Sequence, residues 1–361
     1  MEKIKLCVLD EPLDKRALQS LFPVCPDIIA VKTRDNALLE PEGGFVPPLS
    51  HGTLCMSVLI EALQKLEILQ SVELHHFSIG YLANRHSEHA LLEGVEYCAD
   101  QNFDLVSCSV GLFQRLWAVP IISFLHEREK PLVVAAAANS ERITYPAALP
   151  SVLGVKLAEE TFNAPYSVAD SPDGIDLLAR CSESDVLDQM GYGFSNSILA
   201  PQLCARAAKF VLEGVPAEKG QILSALTNGA RIQSLEKPIV FGPQNPDDEP
   251  PVVLIPYSGE AYAERFRQAV RLQQKFEEND YSCAVLSDRL QAADFETGHF
   301  PVDPQNLERD ISYYTRAADN SLFLLVAEET APCDLRLNER EIGADRILAL
   351  FDKILTTFPD Q

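Results

Sequence analysis

The sequence predicts an α/β protein: a doubly wound, mostly parallel sheet with helices on both faces, followed by a second, smaller α/β domain. Three observations predict it. Apolar runs of strand length alternate with segments of helical spacing up to Ser197, which is the pattern of strand, crossover helix and parallel strand. Residues 131 to 139, PLVVAAAAN, are almost continuously apolar, as strands covered on both faces are. At 361 residues the chain exceeds a comfortable single core, so two domains are expected.

Taken in order, residues 4 to 9 alternate as a strand does and end at Asp10, followed by Glu11-Pro12. Asp10 then stands at the C-terminal edge of a strand, where open parallel sheets build their sites, although a lone aspartate there is also a turn former. After a loop with Gly43, Gly44, Pro47 and Pro48, the stretch SHGTLCMSVLIEAL starts an apolar helix, with Ser50 as cap and His51 at its start. Residues 72 to 79 read as a strand in which His75 and His76 point to opposite faces, a poor arrangement for a shared metal. Residues 88 to 101 carry Leu91, Leu92, Val95 and Ala99 at helical spacing. A strand at 104 to 111, a helix at 116 to 127, and strands at 131 to 139, 151 to 155 and 174 to 179 complete the alternation.

The segment from Gly191 to Gly214, GYGFSNSILAPQLCARAAKFVLEG, closes this layer. From Ser197 onward it is small or apolar on nearly every face, so its helix belongs in the interior. Asn196 reads as the N-cap and Pro201 as a residue of the first turn or so. Ser197 is thereby expected at the positive end of the helix dipole, where free N–H groups favour an anion. Taken alone, Ser-Asn-Ser is equally a capping sequence before a core helix.

Three separate hints then fall into one order. Asp10 in VLDEPLD, His51 in HGT and Ser197 in SNSILAP follow each other as Asp, His, Ser, and on this order residues 1 to 235 resemble the subtilisin-like serine proteases. SVG at 109 to 111 resembles that family's substrate-binding strand, AAAN at 136 to 139 its oxyanion strand, and IDLLA at 175 to 179 the strand before its serine loop. The resemblance implies a subtilisin-like fold and a catalytic triad in which Ser197 attacks, His51 acts as general base and then acid, and Asp10 orients the imidazole. It assigns the oxyanion hole to the side-chain amide of Asn139 and the backbone N–H of Ser197. It also assigns substrate binding to Ser109, Val110, Gly111, Ala137 and Ala138. The implied activity is endopeptidase hydrolysis through an acyl-enzyme, acting on a restricted set of peptide or precursor-protein substrates. The alternatives are a catalytically silent scaffold that binds a peptide or protein partner, and an amide-forming or ester-cleaving enzyme that uses the same acyl intermediate.

The chain departs from the family pattern at several places. Ser195-Asn196 stand where Gly-Thr is usual, Ala138 where a glycine is common, and Gln202 where a histidine often follows the proline. The stretch from Asn139 to Tyr145 is short, so the floor of a specificity pocket does not carry over. Asp170, Asp173 and Asp176 have oxygen-ligand spacing but read as an acidic loop rather than a calcium site.

Residues 236 to 250, rich in proline and acidic groups, read as a linker. Residues 251 to 361 then supply a strand VVLIPYS, an amphipathic helix at 260 to 278, strands CAVLS and LFLLVA, and a final helix at 345 to 355. Ser258-Gly259 lacks the glycine pair and lysine of a phosphate loop. This domain is expected to bind a protein partner or present substrate.

A net charge of −23 argues against nucleic acid and anionic membrane as partners. No run reaches the roughly 18 apolar residues of a membrane span, and residues 1 to 10 carry no secretory signal pattern. Nine cysteines without metal-like spacing suit buried, reduced thiols. A cytoplasmic protein without cofactor or metal is therefore expected.

Overall fold

The computed structural model describes residues 3–35, 39, 49–81, 87–126, 131–140, 142–158, 165–228, 232–235, 237, 250–328, 330–338, 341–343 and 346–359. The expected loop at Gly43 to Pro48 and nearly all of the expected linker lie outside these residues. The chain divides into two compact units. The first comprises Met1–Leu112, Pro120–Ser140 and Thr144–Leu235; the second comprises Phe113–Val119, Glu141–Ile143 and Glu236–Gln361.

The first unit is built on β1 (Ile4–Asp10), β2 (Ile28–Lys32), β3 (Val72–Ser78), β4 (Leu105–Cys108), β5 (Leu132–Ala136), β6 (Leu153–Leu157), β7 (Tyr166–Asp170), β8 (Leu177–Ala179) and β9 (Gln233–Ser234). They form one nine-stranded sheet in the order β2-β3-β1-β4-β5-β6-β8-β7-β9. Every pairing is parallel except β7 with β8. The connections include α1 (Lys15–Leu21), α2 (His51–Lys65), α3 (Ser87–Asp100), the part from Pro120 onward of α4 (Arg115–His126), α5 (Asp185–Met190), α6 (Asn196–Leu212) and α7 (Lys219–Thr227).

Alternation along the strands decides which helix covers which face. Leu6, Val8, Leu74, Leu105 and Val134 point to one side, where they share a core with Met56, Leu59 and Ile60 of α2 and with Leu199, Leu203 and Ala207 of α6. Leu9 and Phe77 point to the other, where α3 approaches so closely that a side chain at Gly94 would press on both. The sheet is thus doubly wound, as the sequence predicts. Truncating a fully buried residue of this core such as Leu59 to alanine costs about 2–5 kcal/mol.

Several strands are shorter than their apolar runs. The β4 ladder stops at Cys108 and β5 at Ala136, so 109–111 and 137–139 leave the sheet as free-running segments. Strands β2, β7 and β9 are additional to the expected set; β2 sits at the sheet edge with Ile29 exposed although its sequence, IIAVK, is apolar.

The second unit holds β10 (Val252–Tyr257), β11 (Cys283–Ser287), β12 (His299–Pro301), β13 (Leu322–Glu328) and β14 (Leu335–Arg336), with α8 (Tyr262–Glu277), α9 (Leu307–Ala317) and α10 (Ile347–Thr357). Its five strands run parallel in the order β12-β11-β13-β10-β14. Ala269, Leu272 and Phe276 of α8 and Leu350, Phe351 and Ile354 of α10 pack over Val253, Val285 and Leu324. The strands expected here are present as β10, β11 and β13; β12, β14 and α9 are additional. All nine cysteines are free thiols. Among the described residues no helix is long and apolar enough to cross a membrane.

Candidate active site

Asp10 ends β1 with its side chain 0% exposed, and His51 opens α2 forty-one residues later. Ser50 caps this helix, its hydroxyl accepting from the Thr53 N–H at 3.2 Å, so the first turn of α2 is fixed beside the end of β1. There His51 Nδ1 lies 2.7 Å from Asp10 Oδ1. The Glu11 N–H donates to the same oxygen at 2.7 Å, and the Glu11 carboxylate accepts the His51 N–H at 2.9 Å. Glu11 therefore grips both residues, although Glu11-Pro12 has only the pattern of a turn in the sequence. Gly52 makes the approach possible, because a Cβ there would fall inside contact distance of the Glu11 carbonyl.

Burial alone would push the Asp10 carboxyl up, but the charge and hydrogen bond of His51, with the Glu11 N–H, outweigh it and hold Asp10 below the usual carboxylate range. The Asp10 charge in turn holds His51 well above the range of free imidazole, against the opposing effect of burial. The pair is tight, and Nδ1 is the nitrogen it occupies. That leaves Nε2 for proton transfer.

Ser197 lies at the second position of α6, whose N-cap is Ser195 and not Asn196 as the sequence suggests. Asn196 is instead the first helical residue, and its amide is spent elsewhere. Its Nδ2 donates to the Ala138 carbonyl at 2.7 Å and its Oδ1 accepts from the Leu157 N–H at 2.8 Å, tying the helix start to the ends of β5 and β6. The Asn196 N–H donates to Asn139 Oδ1 at 3.0 Å. With its oxygen so engaged, Asn139 keeps its NH₂ group as a donor. The Ser197 N–H is one of the four that a helix start leaves without an intrahelical acceptor.

Pro201 lies inside α6 rather than in its first turn. Lacking an N–H, it cannot bond the carbonyl of residue 197 in the ordinary helical way. That carbonyl accepts from Ser109 Oγ at 2.7 Å and from the Cys55 thiol at 3.8 Å. Cys55 Sγ also lies 3.8 Å from His51 Nδ1 and 4.0 Å from Nε2, so one side chain touches both His51 and Ser197. Among the described residues no hydrogen bond joins His51 to Ser197. The Cys55 side chain thus links the surroundings of His51 and of Ser197.

Ser109, Val110 and Gly111 continue β4 past its last ladder bond, and Leu112 then pairs with Tyr145. The backbone groups of Ser109 and Gly111 make no hydrogen bond among the described residues. A side chain at Gly111 would collide with Thr144. Ala137 and Ala138 continue β5, with the Ala137 N–H given to Val155 O at 2.9 Å and the Ala138 N–H to Thr144 Oγ1 at 3.1 Å. The Ala138 carbonyl is taken by Asn196, so both backbone groups of this residue are engaged within the fold.

Asp10, His51 and Cys55 bring one oxygen, one nitrogen and one sulfur within 4.8 Å of one another, the one such group of potential metal ligands among the described residues. Burial pushes the Cys55 thiol up to about 11. In the acidic loop, Asp173 pairs with Lys156 at 3.1 Å and Asp176 with Lys219 at 2.8 Å, so lysines occupy the carboxylates a calcium ion would need.

Over 63% of its length the chain is similar in structure to subtilisin-like serine proteases. Against a cold-adapted subtilisin-like serine proteinase the identity is 16%, with 63% of this chain and 82% of the other covered and a TM-score of 0.43. Against the nisin leader peptidase NisP of Lactococcus lactis it is 14%, covering 64% and 85%, with a TM-score of 0.45. Against the prenylagaramide maturation protease PagA it is 16%, covering 64% and 84%, with a TM-score of 0.40. No protein-family model matches the sequence, and no curated protein matches it.

Proposed function

We propose that this chain is a serine endopeptidase with an Asp10–His51–Ser197 triad, housed in a peptidase domain of residues 1–235 that is joined by a linker at 236–250 to a domain at 251–361. The observation that carries this reading is the 2.7 Å Asp10–His51 contact set beside a helix start whose second residue is Ser197. A turn of the Ser197 side chain toward Nε2 lets His51 take its proton as Oγ attacks a peptide carbonyl. The negative oxygen of the tetrahedral intermediate then faces the Asn139 amide and the Ser197 N–H. Collapse expels the amine, which takes the proton from His51, and water repeats the sequence to release the acid. The open backbone groups of 109–111 suit a substrate bound as an added strand, with Ala137 and Ala138 as the facing wall.

The nine free thiols suit a reducing compartment such as the cytoplasm, and a peptidase there must be selective. We therefore take its substrates to be a restricted set of peptides or precursor proteins. The open His51–Ser197 bond favours a second reading, a silent scaffold that binds a peptide or protein partner. A fluorophosphonate probe separates the two. Labelling of Ser197 that disappears in Ser197→Ala and falls sharply in His51→Ala supports the enzyme, and a folded protein that takes no label supports the scaffold. Indiscriminate digestion of casein would refute restricted action.

A further inference from the structure

A helix carbonyl ordinarily accepts from the N–H four residues further on. For Ser197 that residue is Pro201, inside α6, which has no N–H and whose ring crowds the same carbonyl. The carbonyl of the proposed nucleophile takes donors from outside the helix instead. The Ser109 hydroxyl donates to it at 2.7 Å and the Cys55 thiol at 3.8 Å. The two differ in strength, since a hydroxyl at that distance makes a full hydrogen bond and S–H is a weak donor. Cys55 also lies against the His51 ring and within hydrogen-bond reach of the Ser109 hydroxyl, so Ser109 can accept from the thiol while giving its own proton to the carbonyl.

Ser109 stands where the two halves of the proposed site meet. Its side chain reaches Ser197, 88 residues further along the chain, while its backbone N–H and carbonyl make no hydrogen bond among the described residues. The residues after it have little freedom to drift: Val110 is buried, and Gly111 is packed so closely that a Cβ would collide with the Thr144 methyl. A donor on a firmly packed segment holds its acceptor in one orientation. Here the acceptor belongs to the peptide plane that follows the Ser197 Cα, so its tilt sets the ψ of Ser197 and the direction in which the side chain leaves the helix start.

We propose that Ser109 is a positioning residue for Ser197, its hydroxyl replacing the N–H that Pro201 lacks and so setting the angle at which Oγ meets His51. The role rests on the triad reading above and deepens it, because the segment that offers its backbone to substrate then also holds the nucleophile. A peptide seated along 109–111 stiffens that segment and, through the hydroxyl, the Ser197 backbone. The hydroxyl itself is committed to the Ser197 carbonyl, so its loss falls on the rate of acylation and not on the binding of substrate.

The test uses the full chain with Ser109→Ala, Ser109→Thr, Pro201→Ala and the double variant Ser109→Ala/Pro201→Ala. One readout is labelling by a peptidyl fluorophosphonate, resolved into the rate at saturation and the half-saturating concentration. The other is the carbonyl carbon resonance of Ser197, which reports the hydrogen bond whether or not Ser197 attacks. In Ser109→Ala the resonance moves upfield and the saturated rate falls about 3- to 10-fold, the effect of one neutral hydrogen bond, with the half-saturating concentration unchanged. Ser109→Thr keeps the hydroxyl and returns both readouts to near wild type. Pro201→Ala gives the carbonyl a helical donor, so removing the Ser109 hydroxyl in that background changes the rate by less than about twofold. This dependence on Pro201 separates a donor to the carbonyl from a side chain that fills space. A folded Ser109→Ala with wild-type rate and resonance overturns the proposal. So does a Ser109→Thr as slow as the alanine variant, or an undiminished loss in the Pro201→Ala background. Should Ser109→Ala not fold, the double variant must fold and label at the rate of Pro201→Ala, and its failure to do so overturns the proposal instead. A wild-type protein that never labels refutes the enzyme reading, while the resonance in the same variants still judges Ser109.

Discussion

His76 should make the protein acid-sensitive by an amount that follows from its burial. In the unfolded chain its imidazole takes a proton near the ordinary value of 6.5, whereas in the fold burial delays this to about 4. Between those pH values the unfolded state binds the extra proton, so stability falls as pH falls. Each unit of difference is 1.36 kcal/mol, so the interval costs about 3 kcal/mol from this one side chain. That is a large part of the 5–15 kcal/mol typical of a domain. Replacing His76 by glutamine removes the titration while keeping a polar amide. Urea unfolding followed by pulse hydrogen exchange of peptides from β1 and β3 reads the unit concerned. From pH 7 to 4 the wild type should lose about 3 kcal/mol more than His76→Gln. Curves that stay parallel over that range would refute the reasoning, whatever the offset between them at pH 7.

If the proposed triad operates, the activity should have a displaced pH profile. His51 works as a base only when neutral, and the Asp10 charge raises it above 6.5, so the acid limb of kcat/KM should lie on the alkaline side of that value. Asp10→Asn should bring the limb back down and lower kcat on the order of 10⁴-fold, and a limb that stays in place would contradict the pairing. Asn139→Ala should slow acylation about 10²- to 10³-fold while leaving KM nearly unchanged, measured on a chromogenic peptide. Asn196→Ala strands the Leu157 N–H and the Ala138 carbonyl. It should destabilise the first unit by about 2–4 kcal/mol in urea titrations.

What could be read from the sequence depended on how local its cause was. The buried strands announced themselves as apolar runs, and β1, β3, β4 and β5 were found near their true places because burial on both faces leaves no room for polar residues. The edge strand β2 shows the converse, since Ile28 to Val31 form an apolar run that the fold leaves half-buried or exposed, and so a short run alone does not mark a covered strand. Asp10, His51 and Ser197 were legible as an ordered set, because each stands at the end of an element and their order along the chain is distinctive. The supports behind them were not. Asn196 satisfied every local criterion for a cap, yet its partners Ala138 and Leu157 lie 58 and 39 residues away, and a longer reach outweighed the local rule. His76 was seen only as half of a pair unsuited to metal. Its place on the strand next to that of Asp10 follows from the β1–β3 register, which no single strand's pattern fixes.

Pro201 exposes the same limit from the opposite side. Proline near a helix start is tolerated because the missing N–H has no duty there, and that rule put it in the first turn. In α6 it stands further in, where the absent N–H does have a consequence. The carbonyl it leaves unbonded belongs to Ser197, and Ser109 Oγ and the Cys55 thiol converge on it from β4's extension and from α2. A defect in one helix thereby becomes the joint at which three segments of the candidate site meet. Its physical reason was available from the residue type, but its purpose could be understood only once the elements that answer it were in view.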